Sequence, residues 1–105
     1  MQAIPSPRST GLAEVQTALK ALRPELDRRG VRHLWLFGSR ARQDARPGSD
    51  WDFLVEFNQP PGLEDYMNLK FWLEEQLGGT VDLVSRSACK PRFIAAIQDE
   101  LLDVA

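Results

Sequence analysis

A glycine–serine pair, ten residues and then two aspartates one residue apart dominate this chain: Gly38-Ser39, the stretch Arg40 to Ser49, then Asp50-Trp51-Asp52. The apolar run His33-Leu34-Trp35-Leu36-Phe37 leads in, and the alternating run Trp51 to Phe57 leads out. That punctuation reads as strand, Gly/Ser turn with a short helix, then strand. A turn and a carboxylate pair are therefore held at the ends of two strands that the same short segment connects.

In an extended strand side chains alternate faces, so Asp50, Asp52, Leu54 and Glu56 share one side while Trp51, Phe53, Val55 and Phe57 share the other. The aromatic side is the core side. Aspartates at i and i+2 stand roughly 6.5–7 Å apart at the backbone and can lean together around hard cations that take oxygen ligands. Two-ion phosphoryl-transfer sites hold their metals about 3.5–4 Å apart, a span such a pair can bracket. An isolated Asp-x-Asp is more often just an exposed strand edge, and the flanking loop is what weighs against that here.

Gly38 has no side chain to keep an anion from the main chain. Ser39 brings a hydroxyl to the place where a helix starts, and the first amides of a helix are unpaired donors. Arg40, Arg42 and Arg46 add positive charge in a planar, forked form that suits phosphate oxygens. Each alone has an ordinary explanation, Ser39 as a cap and the arginines as a solvated helix face. A third acid, Asp82, lies in Thr80-Val81-Asp82-Leu83-Val84, where Val81 and Leu83 point the other way. If that strand pairs beside the first acid strand, Asp82 projects over the Asp50/Asp52 face; otherwise it is a solvent-facing aspartate.

These residues resemble the minimal nucleotidyltransferase (MNT) group of the DNA polymerase β superfamily. The resemblance rests on Leu36-Phe37-Gly38-Ser39-Arg40-Ala41-Arg42, on Ser49-Asp50-x-Asp52-x-x-Val55, and on the later Val-Asp-Leu-Val. It implies an NTP-using transferase with a two-ion magnesium site, in which Gly38 and Ser39 contact the triphosphate and Asp50, Asp52 and Asp82 carry the metals. Arg40 and Arg42 are the further candidates for holding the phosphates. Gln43 stands where the family usually has a second glycine. Many relatives of this size resemble the antitoxin halves of two-gene systems whose other half is an all-helical HEPN-type protein.

Composition sets the outer limits. With 105 residues there is room for one modest core, and 13 basic against 15 acidic residues give a net charge of −2, no cationic field for nucleic acid. Direct nucleic-acid binding is not favoured. The single Cys89 excludes an internal disulfide framework, the first ten residues lack the apolar core of a signal peptide, and no apolar run approaches membrane-spanning length. The expected location is cytoplasmic.

Residues 1–10 read as a flexible start and 11–105 as one minimal nucleotidyltransferase domain. Leu12, Val15, Leu19, Leu22 and Leu26 mark an amphipathic helix that Pro24 kinks or restarts and Gly30 closes. Val31 to Phe37 is the first strand. Leu63 to Leu77 is a second amphipathic helix ended by Gly78-Gly79. Ser87 is placed to cap a last helix burying Phe93, Ile94, Ile97 and Leu101, with Pro91 near its first turn. Trp35, Trp51 and Trp72 read as core and rim aromatics, His33 as a strand-surface residue, and Cys89 as a small buried one.

The expected architecture is α+β, two layers, a polymerase β-like nucleotidyltransferase fold with a small mixed sheet and helices on one face. The opposite face is left for the three acids. Two functions fit. One moves an NMP, AMP in the first instance, from ATP or another NTP to a hydroxyl, with the HEPN-type partner itself as acceptor. The other is a non-catalytic antitoxin that neutralises its partner by contact alone; intact acids favour the first.

Overall fold

A computed structural model describes residues 12–46 and 48–105, so the expectation for residues 1–10 lies outside the described residues. Helix α1 (Leu12–Ala21) buries Val15 and Leu19, and α2 (Arg23–Arg28) follows almost at once. Pro24 is the cause of the break: it sits in the first turn of α2, where its missing N–H removes no helical bond. Strand β1 (Val31–Phe37), a five-residue helix α3 (Gly38–Arg42) and strand β2 (Trp51–Phe57) come next. Helix α4 (Leu63–Leu77) then crosses back to β3 (Val81–Ser85). After it come α5 (Pro91–Ile97), the 3-10 turn Gln98–Glu100 and a two-residue strand β4 (Leu102–Asp103).

The four strands form one mixed sheet in the order β3-β2-β1-β4. β1 runs antiparallel to β2 and to β4, whereas β2 and β3 are parallel and need the crossover that α4 supplies. That helix begins where the Gly62 amide donates to the Asp65 carboxylate at 3.1 Å, and ends where Gly78 turns left-handed at φ 69°. The principal core lies between the sheet and α1, α2 and α4. It joins Val15, Leu19 and Leu26 to Trp51, Phe53 and Val55 and to Leu69, Leu73 and Leu77.

Three details depart from the sequence reading. The opposite face is not left bare, because a smaller cluster of Phe37, Leu54 and Ile97 covers part of it, with Trp35, Val84, Ile94 and Leu101 against it. Leu54, on the same strand face as Asp52, is therefore buried, and the acids are confined to one end of that face. The last helix begins after Lys90, not Ser87, which instead lies in the 3-10 turn Arg86–Ala88. A start at Ser87 would put Pro91 in the fourth helical position, where its absent N–H would leave the capping carbonyl unbonded; a start at Lys90 makes it the first. The strand β4 also follows where the sequence pattern suggested continuing helix. Among the described residues no helix is long and apolar enough to cross a membrane.

Candidate active site

Register places the acids. Phe37, the last residue of β1, is the direct partner of Asp52 on β2, and Asp52 is in turn the direct partner of Asp82 on β3. Asp50 precedes β2 by one residue and is exposed, as is Asp82, while Asp52 between them is half-buried. The start of β3 is fixed from two sides: Trp51 N–H donates to Thr80 O at 2.9 Å, and Val81 N–H donates to the Glu74 carboxylate at 3.0 Å. Lys70 completes that anchor at 3.1 Å from the same Glu74 oxygen, and the two contacts, the Val81 amide foremost, hold the Glu74 carboxyl below its ordinary range. The Tyr66 hydroxyl donates to the Leu83 carbonyl and ties α4 to the other side of Asp82.

The glycine and the aspartate pair depend on each other. Gly38 is buried at the start of α3 with φ of 77°, a backbone region that side chains resist. A β-carbon there would overlap Asp52 Oδ2 outright. Only glycine lets the strand end, the turn and the Asp52 carboxylate occupy one corner. Ser39 follows within α3, and its carbonyl accepts from the Asp44 amide at 3.0 Å, closing the helix. Gln43, at the position where a glycine is expected, is left-handed with φ of 63°.

The two arginines have separate fates. Arg40 folds away from the corner: its guanidinium lies over the Trp51 ring, 4.4 Å from the ring centre, and its Nη2 donates to the Ser49 carbonyl at 2.8 Å. It braces the loop that runs from the end of α3 to Asp50, and Ser49 bonds reciprocally with Arg46 at 3.0 Å through backbone and hydroxyl. Arg42 stays at the site. Its Nε lies 3.2 Å from Asp44 and its Nη1 3.1 Å from Glu100, contacts that hold its pKa above the ordinary value, Asp44 contributing most. Glu100 is the neighbour of this corner that the sequence did not disclose. Its other oxygen accepts from the Gly38 amide at 2.9 Å across 62 residues of chain.

Burial, then Asp82, Asp50 and Glu100 in that order, push the Asp52 carboxyl above its ordinary value, with Arg42 opposing them. Among the described residues no three His, Cys, Asp or Glu side chains close into a metal-holding group. The donor set at this corner nevertheless suits a hard divalent cation, being all carboxylate, and such a cation would relieve the like-charge part of the push on Asp52, which adds to that of burial.

A nucleotidyltransferase-domain model matches residues 19–104. The chain belongs to the nucleotidyltransferase family. It is 38% identical over 94 residues to the protein adenylyltransferase MntA of Thermococcus cleftensis, a match spanning 89% of this chain and 95% of that protein. A solved structure described as a minimal nucleotidyltransferase is 34% identical, with a TM-score of 0.76 over 90% of this chain and 96% of that one. The fold also matches a chain from the complex of the tri-AMPylated Shewanella oneidensis HEPN toxin with its MNT antitoxin. There the TM-score is 0.62 at 19% identity, covering 87% of this chain and 68% of that one.

Proposed function

We propose that this protein is a magnesium-dependent adenylyltransferase that moves AMP from ATP to a hydroxyl of a helical HEPN-type partner, as the antitoxin of a two-component pair. The observation that carries the reading is the closed corner of Gly38 against Asp52, with Asp82 in direct register beside them. Relatives named protein adenylyltransferase, and the AMPylated toxin in a structural neighbour, support the choice of nucleotide and acceptor.

Asp50, Asp52 and Asp82 would hold magnesium, which when bound screens the triphosphate and draws charge from the α-phosphorus. The Gly38 amide, Ser39 and the Arg42 guanidinium receive the phosphate oxygens. The acceptor oxygen forms a bond to the α-phosphorus as the bridging bond to the β-phosphate breaks. Pyrophosphate leaves with that bond pair, and the hydroxyl proton passes to Asp82. Arg40 takes no part at the phosphates in this arrangement and instead keeps Asp50 at the end of a braced loop.

Co-expression with the product of the neighbouring gene, followed by intact-mass measurement with ATP and magnesium, should show the partner gaining one or more AMP units. Asp50→Asn/Asp52→Asn should abolish the gain and leave cooperative unfolding intact, since neither side chain lies in the principal core. A partner that gains no mass yet is inhibited equally by wild type and double variant would make contact neutralisation the activity. Label on RNA alone would mean a different acceptor.

A further inference from the structure

The Glu100 carboxylate is arranged as a phosphate would be. One oxygen accepts from the Gly38 amide at 2.9 Å and the other from Arg42 Nη1 at 3.1 Å, so a single anion bridges the backbone donor and the guanidinium of the turn. Its side chain is about one-quarter exposed, close enough to solvent to leave without opening a core. The residue belongs to the short Gln98–Glu100 turn, whose closing backbone bond, Leu101 N–H to Gln98 O, is long at 3.5 Å. Directly after it, β4 pairs with Leu36 and Trp35 of β1, the strand that delivers Gly38. The turn therefore rests on the site it fills and is weakly closed in itself.

We propose that Glu100 is an internal competitor for the triphosphate, a carboxylate latch on the Gly38 amide and Arg42 that nucleotide binding must displace. This rests on the nucleotidyltransferase reading of the site. Two anions cannot share that donor pair: a phosphate placed there would meet Glu100 at van der Waals distance with like charge. Binding then requires the latch to open, and the apparent affinity falls by the fraction of molecules in which it is open. Displacement also frees the Gln98–Glu100 turn, so occupancy of the nucleotide site is transmitted to the segment leading into β4. The alternative use of a fourth carboxylate, as a metal ligand, is disfavoured because both Glu100 oxygens already face donors.

Calorimetric titration of magnesium–ATP into wild type, Glu100→Gln and Glu100→Ala tests the latch. Both variants should bind about 10-fold more tightly than wild type, the gain expected if the latch is closed about nine-tenths of the time. Magnesium–tripolyphosphate should show the same ratio, because the latch competes for a phosphate position and not for the base. In wild type alone, hydrogen exchange over residues 98–103 should quicken on adding magnesium–ATP, a measurement that survives even if a variant folds poorly. Unchanged or weaker binding in the variants, or exchange that slows on saturation, overturns the latch while the nucleotide reading stands. Weaker binding would mark Glu100 as a metal ligand instead. Binding by the variants but not by wild type would be its strongest confirmation. No binding of either probe by any of the three proteins overturns the nucleotide reading and the latch with it.

Discussion

Strand β2 presents two surfaces with opposite energetics. Toward α1, α2 and α4 it sets Trp51, Phe53 and Val55 into the principal core, all three 2% exposed or less. Toward the other side it sets Asp52, Leu54 and Glu56, of which only Leu54 is buried, in the small cluster with Phe37 and Ile97. The inward surface gains stability from removing apolar area from water. The outward surface gathers like charges around Asp52 and a left-handed Gln43 in the adjoining loop, both of which oppose folding. Adjacent residues on one strand thus serve different ends, and the site exists because the inward face is strong enough to hold the outward one.

The largest effect should come from the inward face. Phe53→Ala removes a fully buried ring and should cost about 3–5 kcal/mol, read as a lower urea midpoint. Its neighbour Asp52, replaced by asparagine, should cost no stability at neutral pH at all. A loss of the same size at both positions would erase the distinction between the faces.

Next comes the loop that joins the two surfaces. Arg40→Ala removes the stack on Trp51 and the bond to Ser49 O together, and should lower stability by about 1–2 kcal/mol. Because Asp50 ends that loop, transfer should drop roughly 10-fold, chiefly in kcat, with nucleotide affinity nearly unchanged. Arg42→Ala should do the reverse and alter affinity first. If Arg40→Ala abolishes nucleotide binding, the arginine reaches the phosphates and is not a brace.

These two arginines show where sequence reasoning stops. The strand, turn and strand around Gly38 and Asp52 were legible because every cue was local: an apolar run, a Gly-Ser break and a period of two. The ends of α4 were legible for the same reason, with Gly78 in the left-handed conformation its position demands. The place of Arg40 was not legible because a cation near a phosphate loop can face the ligand or an aromatic ring, and only the fold brings the Trp51 ring beneath it. Glu100 gave no local signal, being an ordinary acid after a helix until β4 folds back on β1. The start of α5 was misplaced because Ser87 looked like a cap, although Pro91 already dictated a start at Lys90.

Asp52→Asn sharpens the comparison through pH. The folded-state carboxyl is raised above its ordinary value of 3.8 while the unfolded one is not, so the folded state binds this proton more tightly. Stability from this group is therefore lost as pH rises from 3.8 through the folded value, and the wild type carries the full penalty at pH 7. The asparagine variant should unfold at a slightly higher temperature at pH 7, the gain being small because solvent still reaches and screens the site. The gap should close as pH falls below the carboxylate range, and saturating magnesium should narrow it at pH 7. A gap that is constant with pH would trace the difference to packing and not to charge.

The smallest effect belongs to Gln43, whose backbone is left-handed at φ 63° and ψ 29° where it ends α3. A side chain in that conformation costs roughly 1–2 kcal/mol, and glycine removes the cost but gains freedom in the unfolded chain, which offsets part of it. Gln43→Gly should therefore stabilise the protein by about 0.5 kcal/mol, visible as a small rise in the urea midpoint at constant slope. The substitution touches neither the core nor an acid, and Asp44 N–H continues to bond Ser39 O, so transfer should be unchanged. A destabilised Gln43→Gly would mean that the glutamine side chain makes a compensating contact in solution, and that the loop beside the acids is better built than its backbone angle implies.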